Sequence, residues 1–149
     1  MTTPDLRTAV APALGHIVLR VRSVERSELF YCQVLGLHVR ERRGDQMVFL
    51  TRGIQHHDIA LFAAEDSAPS PGRGQIGLDH VAFKVPDFAA LKAAYHRCKT
   101  SGLSIADVTW RGSSKSFHVR DPDGLRVELY CESKGGRRTD EMLRASLEC

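Results

Sequence analysis

The 149 residues carry 21 basic and 18 acidic side chains, with a net charge of +3 at pH 7 when histidine is neutral, and the two signs are interspersed. This balance argues against a nucleic-acid partner, and no apolar run is long enough to cross a membrane. The four cysteines include no Cys-x-x-Cys pair, so we expect free thiols and a cytoplasmic protein rather than a zinc knuckle or a disulfide framework. A chain of this length fits one domain, or two small modules that share a core.

The first half of the chain predicts one strand, one helix and three further strands. Residues 1–12 are polar, contain two prolines and are expected to form a loose arm. The first module follows over residues 14–63, where a strand at Gly15–Val21 leads to a helix with Ser23 as its N-cap and Gly36 at its end. The three further strands are predicted at Leu37–Arg42, Gln46–Thr51 and Asp58–Phe62.

The second half predicts the same order of elements. A linker rich in serine, proline and glycine occupies residues 64–77, and the second module covers residues 78–131. Its helix is predicted from Asp87, and Asp121-Pro-Asp-Gly124 predicts a turn between its last two strands. Its strands are predicted at Asp79–Val85, Ile105–Trp110, Lys115–Arg120 and Leu125–Cys131. The tail over residues 132–149 is expected to contain a short helix.

The first strands of the two modules carry matching sequences with one histidine each. Leu14-Gly-His-Ile-Val-Leu-Arg-Val21 returns as Leu78-Asp-His-Val-Ala-Phe-Lys-Val85, which puts His16 and His80 at equivalent positions. Strand residues alternate between two faces. The apolar residues after each histidine should pack on the helix, so both histidines are expected to project from the opposite face.

The last strands of the two modules also match, with one difference. Asp58-Ile-Ala-Leu-Phe62 returns as Arg126-Val-Glu-Leu-Tyr130, so Glu128 stands where the first module has Ala60. By alternation Glu128 faces away from the helices, as the two histidines do. The repeat therefore offers three candidate metal ligands and one vacancy, and the small alanine is expected to leave room for a bidentate substrate.

These positions predict the architecture and the site together. If each sheet curls and the two sheets meet edge to edge, the faces that carry His16, His80 and Glu128 line one cavity. The fold is then α+β, with two tandem βαβββ modules forming a half-open barrel around a central metal. Two histidines and one carboxylate are the facial ligand set of non-haem Fe(II) oxygenases.

Two such modules, with histidines on their first strands and Phe117-His-Val-Arg-Asp-Pro-Asp-Gly124 before the glutamate, resemble the vicinal oxygen chelate superfamily over about residues 14–131. Within that superfamily, His56-His57-Asp58-Ile59-Ala60 resembles the segment that holds the acid–base histidine of type I extradiol dioxygenases. The glyoxalase I branch usually has a fourth ligand, a glutamate, at the position of Ala60. The alanine argues against glyoxalase chemistry.

The resemblance implies roles for the polar residues. His16, His80 and Glu128 would hold Fe(II), or less often Mn(II), and leave three positions for a diol and dioxygen. His57 would be the catalytic acid–base group because histidine titrates near working pH. His118, the second catalytic candidate, stands where the family usually has a tyrosine. It is either a hydrogen-bond donor to substrate or oxygen, or a polar lining residue.

The position of His57 leaves an alternative open. Simple alternation turns His57 toward the helices, and only a bulge or a strand start would turn it into the cavity. His56 has the opposite parity and is the reserve candidate for the acid–base role.

The resulting prediction is an extradiol-type dioxygenase that acts on a catechol or related vicinal diol with O2, as a homodimer or larger homo-oligomer. One alternative is a metal-dependent thiol transferase resembling fosfomycin-resistance proteins, for which Lys115 and Arg111 would supply a cationic phosphonate pocket. Another is a small-molecule-binding protein like the bleomycin-resistance members, although those lack the metal triad. The sequence leaves open whether the barrel closes within one chain or by exchange of modules between two chains.

Overall fold

The computed structural model describes residues 12–70, 72, 74, 76–132 and 139–149. Almost all of the expected N-terminal arm, and residues 133–138 of the tail, therefore lie outside the described residues. The described part of the linker contains no helix or strand. Within the described ranges, no helix is both long enough and apolar enough to span a membrane.

The first module has the predicted order of one strand, one helix and three strands. Its elements are β1 (Ile17–Val21), α1 (Val24–Leu35), β2 (His38–Arg43), β3 (Met47–Thr51) and β4 (Ile59–Ala63). The Ser23 hydroxyl accepts a hydrogen bond from the Arg26 N–H, which satisfies one free donor at the start of α1. Gly36 ends the helix in the left-handed conformation, with φ of 69°. Both helix boundaries are as the sequence predicts.

The second module repeats this order and adds a helix at the C-terminus. Its elements are β5 (His80–Lys84), α2 (Phe88–Thr100), β6 (Ile105–Arg111), β7 (Ser114–Arg120), β8 (Arg126–Glu132) and α3 (Asp140–Glu148). Asp87 caps α2 by accepting from the Ala90 N–H at 2.8 Å. The two buried leucines of α3, Leu143 and Leu147, belong to the hydrophobic core, and this helix packs on β6 and α2.

Each module forms one four-stranded sheet, in the orders β1-β4-β3-β2 and β5-β8-β7-β6. The first and last strands of each module pair in parallel, and the other pairs are antiparallel. Ile17 pairs with Ile59, and Val81 pairs with Val127. This register makes the two modules structurally equivalent, residue for residue, along these strands.

Both helices and the sheet faces beneath them share one hydrophobic core, to which both modules contribute buried residues. The α+β class and the two βαβββ modules are confirmed. Among the described strands, hydrogen bonds join strands only within each sheet. The two sheets are not closed into a barrel.

The β7–β8 turn joins the second module to the first. Asp121 accepts hydrogen bonds from the Tyr31 hydroxyl at 2.9 Å and from the backbone N–H groups of Asp123 and Leu125 at 3.0 and 2.8 Å. The backbone N–H of Arg22, just after β1, donates to the Asp123 carboxylate at 3.0 Å. Burial raises the pKa of both Tyr31 and Asp121. The Asp-Pro-Asp-Gly segment is thus a turn, as predicted, and also a joint between modules.

Candidate metal centre

Three side chains that can bind a metal converge on the face of the second sheet that lies away from the helices. His80 comes from β5, His118 from β7 and Glu128 from β8, and their ligand atoms all lie within 4.8 Å of one another. Nε2 of His80 is 3.4 Å from Oε2 of Glu128, and Nε2 of His118 is 3.9 Å from Oε1. Val127 and Leu129 are buried in the core, so alternation turns Glu128 to this face, as the sequence predicts.

His118 joins this group because it pairs directly with Glu128 across the β7–β8 ladder. Its imidazole is buried, with 7% of the residue exposed. Burial lowers the pKa of His118, and this favours the neutral ring that a metal requires. Its Nδ1 atom is buried without a hydrogen-bond partner among the described residues. Two imidazoles and a half-buried carboxylate at these distances form a donor set that fits a divalent transition metal.

Charged residues lie beside His80, on the side of the ring that faces away from Glu128. Oδ2 of Asp79 lies 2.7 Å from Nδ1 of His80, and this hydrogen bond holds the pKa of Asp79 below its usual range. One terminal nitrogen of Arg126 is 3.6 Å from Asp79, and the other is 3.1 Å from Asp107. The metal-ligand group therefore sits beside a carboxylate–arginine–carboxylate chain.

A cavity of about 550 Å³ opens over this face. Its walls are mostly polar: His80, Asp107, Val108, Thr109, Arg111, Ser114, Ser116, His118, Arg126, Glu128 and Asp140. Lys115 is absent from these walls because its ammonium lies over the rings of Trp110 and Phe88, at 4.3 and 4.6 Å. Of the two cations expected for a phosphonate pocket, only Arg111 lines the cavity.

Three histidines of the first module, His16, His56 and His57, form a separate cluster. The ring centroids of His16 and His57 are 4.3 Å apart, and Nδ1 of His56 is 2.8 Å from Nδ1 of His57. Phe49 packs against His57 with ring centroids 5.2 Å apart. Partial burial, followed by the charges of His16 and His56, lowers the pKa of His57.

The sequence left open whether His57 faces the helices or the cavity. Strand β4 begins only at Ile59, so the alternation that would direct His57 toward the helices does not extend to it. His57 instead contacts His16, and these two candidates lie together. Ala60 is fully buried beside its strand partner Phe49, so no open space lies directly over it.

The structure thus brings His80 and Glu128 together, and His118 with them. His16 is not a member of that group among the described residues; it lies with His57. The sequence did contain a signal for the proximity of His118 and Glu128. Because a tight turn joins β7 and β8, counting the strand pairs away from Arg120 and Arg126 places His118 opposite Glu128. The signal for Asp79 was a difference between the repeats: a carboxylate precedes His80, whereas Gly15 precedes the equivalent His16.

Comparisons with known proteins identify relatives of this chain. A family model described as the Glyoxalase/Bleomycin resistance protein/Dioxygenase superfamily matches residues 13–129. Biphenyl-2,3-diol 1,2-dioxygenase 3 of Rhodococcus globerulus is 33% identical over 83% of this chain and 65% of its own length. Catechol-2,3-dioxygenase of Bacillus subtilis is 31% identical over 80% of this chain and 41% of its own length. The crystal structure of lactoylglutathione lyase from Agrobacterium tumefaciens matches with a TM-score of 0.63 and 26% identity, over 81% of this chain and 94% of that chain.

The described residues form a duplicated βαβββ fold with a histidine and carboxylate cluster on the helix-free face of one sheet. The chain belongs to the Glyoxalase/Bleomycin resistance protein/Dioxygenase superfamily. The predicted resemblance to the vicinal oxygen chelate superfamily is confirmed. The chain spans 65% of the length of the first of these dioxygenase relatives and 41% of the second.

Proposed function

We propose that this protein is a metal-dependent extradiol-type dioxygenase that cleaves a catechol or related vicinal diol with O2. The observation that carries the proposal is that one module holds a histidine–carboxylate cluster and the other holds two histidines in contact, His16 and His57. The two dioxygenase relatives support this class of reaction. The resident metal is Fe(II) or, alternatively, Mn(II), and the free cysteines fit a cytoplasmic location.

We further propose that His16 completes the ligand set of His80 and Glu128 from a second copy of the chain. The contact of Arg22 with Asp123 sets the C-terminal end of β1 near the start of β8, where Arg126 pairs with His80. His16 stands at the other end of β1, six residues and about 20 Å away from Arg22 along the strand. We therefore assign His16 and His80 of one chain to different sites, so that a two-fold dimer would hold two equivalent composite sites.

Exposed apolar residues next to both histidines support this assembly. Leu14, two residues before His16, is 79% exposed, and Leu78, two residues before His80, is 58% exposed. These leucines occupy equivalent positions of the repeat. Burial of equivalent apolar residues from both modules would stabilise a dimer that brings the two modules of different chains together.

Each polar residue then has a role in the reaction. A metal held by these residues would coordinate both oxygens of the diol and supply the redox chemistry with O2. His57, beside His16, accepts the diol proton and returns it to the product, for which a neutral imidazole is suited. His118 donates a hydrogen bond to substrate or oxygen from its position against Glu128. Ala60, buried beside Phe49, leaves the equivalent position of the first module without a fourth ligand.

The test of this function is anaerobic loading with Fe(II), followed by a panel of catechols and O2, with detection of the yellow ring-cleavage product. We expect turnover by the wild type and none by His80→Ala or Glu128→Gln. Metal analysis of His16→Ala and His118→Ala identifies the third ligand: loss of metal from the first variant alone supports the proposal. Metal retained in His16→Ala and lost from His118→Ala would instead assign the whole ligand set to the second module. A wild type that binds metal and cleaves no catechol would refute dioxygenase function.

A further inference from the structure

We propose that Asp79 is a positioning residue that holds His80 in the orientation and tautomer needed for metal binding. The inference rests on the proposed function, because it concerns the metal site that this function requires. Asp79 lies outside the ligand set, and only the second module has a carboxylate at this position.

The two nitrogens of the His80 ring face different partners. Nδ1 lies 2.7 Å from Oδ2 of Asp79, and Nε2 lies 3.4 Å from Oε2 of Glu128. A neutral imidazole carries one N–H donor and one lone pair. An ionised carboxylate can only accept, so Asp79 places the proton on Nδ1 and leaves the lone pair of Nε2 directed at the metal position. Hydrogen bonds of this kind fix the ring and increase its basicity as a ligand.

Arg126 holds Asp79 in place for this task. Asp79 is exposed over 76% of its side chain, and an exposed side chain would otherwise sample several rotamers. Nη1 of Arg126 lies 3.6 Å from the same Oδ2 atom that contacts His80, and Nη2 lies 3.1 Å from the exposed Asp107. Arg126 is itself only 24% exposed and lies on the strand next to His80. Arg126 therefore holds the Asp79 carboxylate against the His80 ring.

The first module lacks the carboxylate that precedes the strand histidine of the second. The residue before His16 is Gly15, which has no side chain to accept a hydrogen bond. His80 therefore has a carboxylate partner that its equivalent histidine lacks. We expect the second module to form the tighter half of the metal site.

The test compares Asp79→Asn with Asp107→Asn in the full chain. Both substitutions remove one carboxylate charge from Arg126, but only Asp79 touches His80. The probe is Co(II), titrated into apo protein and followed by its visible absorption. We expect Asp79→Asn to weaken Co(II) binding by about 10- to 100-fold, and Asp107→Asn to change it by less than about threefold. Thermal unfolding of the two apo variants should match the wild type because both side chains are on the surface.

Two further readouts distinguish the possible failures. Nitrogen-15 NMR of the apo imidazoles should find His80 as the Nδ1–H tautomer in the wild type and as a mixture in Asp79→Asn. Asp79→Glu should recover part of the Co(II) affinity. Equal Co(II) affinity of Asp79→Asn and Asp107→Asn, or an unchanged His80 tautomer in Asp79→Asn, would overturn the role of Asp79. Absence of Co(II) binding by the wild type itself would instead refute the metal site on which the proposed function depends.

Discussion

Phe49 and His118 occupy equivalent positions in the two modules. Phe49 pairs with Ala60 across the β3–β4 ladder, and His118 pairs with Glu128 across the β7–β8 ladder. The second module thus has a pair of polar, metal-competent side chains where the first has an apolar pair. The duplicated fold presents one half-site rich in potential metal ligands and one half-site with an apolar pair at the equivalent place.

This difference between the modules predicts the effect of Ala60→Glu. The new carboxylate would lie at the place equivalent to Glu128 and add a fourth ligand, so we expect diol turnover to fall below about 1% of the wild type while metal is retained. Ala60→Gln is the matched control, since it adds nearly the same volume without the charge. Steady-state ring-cleavage assays and metal analysis provide the measurement. Wild-type turnover in a metal-loaded Ala60→Glu variant would contradict the equivalence of Ala60 and Glu128.

His57 is the predicted acid–base group, and its removal should separate chemistry from metal binding. We expect His57→Ala to retain the metal and to lower kcat by about 10²- to 10⁴-fold, the range for a lost proton-transfer group. His56→Ala is the comparison because the His56 ring centroid lies 5.1 Å from that of His57, and it is His57 whose ring contacts His16. A larger loss of turnover in His56→Ala than in His57→Ala would transfer the role to His56.

The joint between the modules depends on the hydrogen bond from Tyr31 to Asp121. Tyr31→Phe removes a buried donor to a carboxylate, so we expect the free energy of unfolding to fall by about 1–3 kcal/mol. The control is Tyr95→Phe, whose hydroxyl donates to the exposed Glu148 at 3.2 Å and should matter less. Urea denaturation of the three proteins measures the difference. Equal stability of the wild type and Tyr31→Phe would show that this contact does not hold the modules together.

Asp121 also predicts a pH dependence. Burial raises its pKa in the folded state, so the folded protein holds this proton more tightly than the unfolded chain does. The resulting stabilisation is complete below the unfolded pKa of about 3.9 and is lost as the pH rises through the higher folded value. Asp121→Asn lacks this effect. The stability of the wild type relative to Asp121→Asn should therefore decrease as the pH rises through that interval. A relative increase in stability would contradict a raised pKa of Asp121 in the folded protein.

The elements of this fold could be predicted because their signals are local. The Ser23 and Asp87 caps and the Gly36 stop mark the helices within a few residues. The orientation of Glu128 follows from the apolar residues on either side of it. His57 shows the limit of such patterns, because its side depends on β4 beginning at Ile59, and strand ends are poorly defined by alternation.

The relation between the two sheets could not be predicted from local pattern. It depends on contacts such as Tyr31 with Asp121, which are 90 residues apart in the chain. Such contacts depend on buried hydrogen bonds, and the spacing of apolar residues in the sequence does not reveal them. For the same reason, the sequence could propose His16, His80 and Glu128 as one ligand set without determining whether one chain or two would assemble it.

The most direct test of the composite site is subunit complementation between His16→Ala and His80→Ala. Each variant alone should lack turnover and stable metal binding, since every site of its homodimer lacks one ligand. A purified mixed dimer, isolated with two different affinity tags, contains one complete site and should recover about half of the wild-type turnover and metal content. A mixed dimer as inactive and metal-free as its parents would contradict a site shared between two chains.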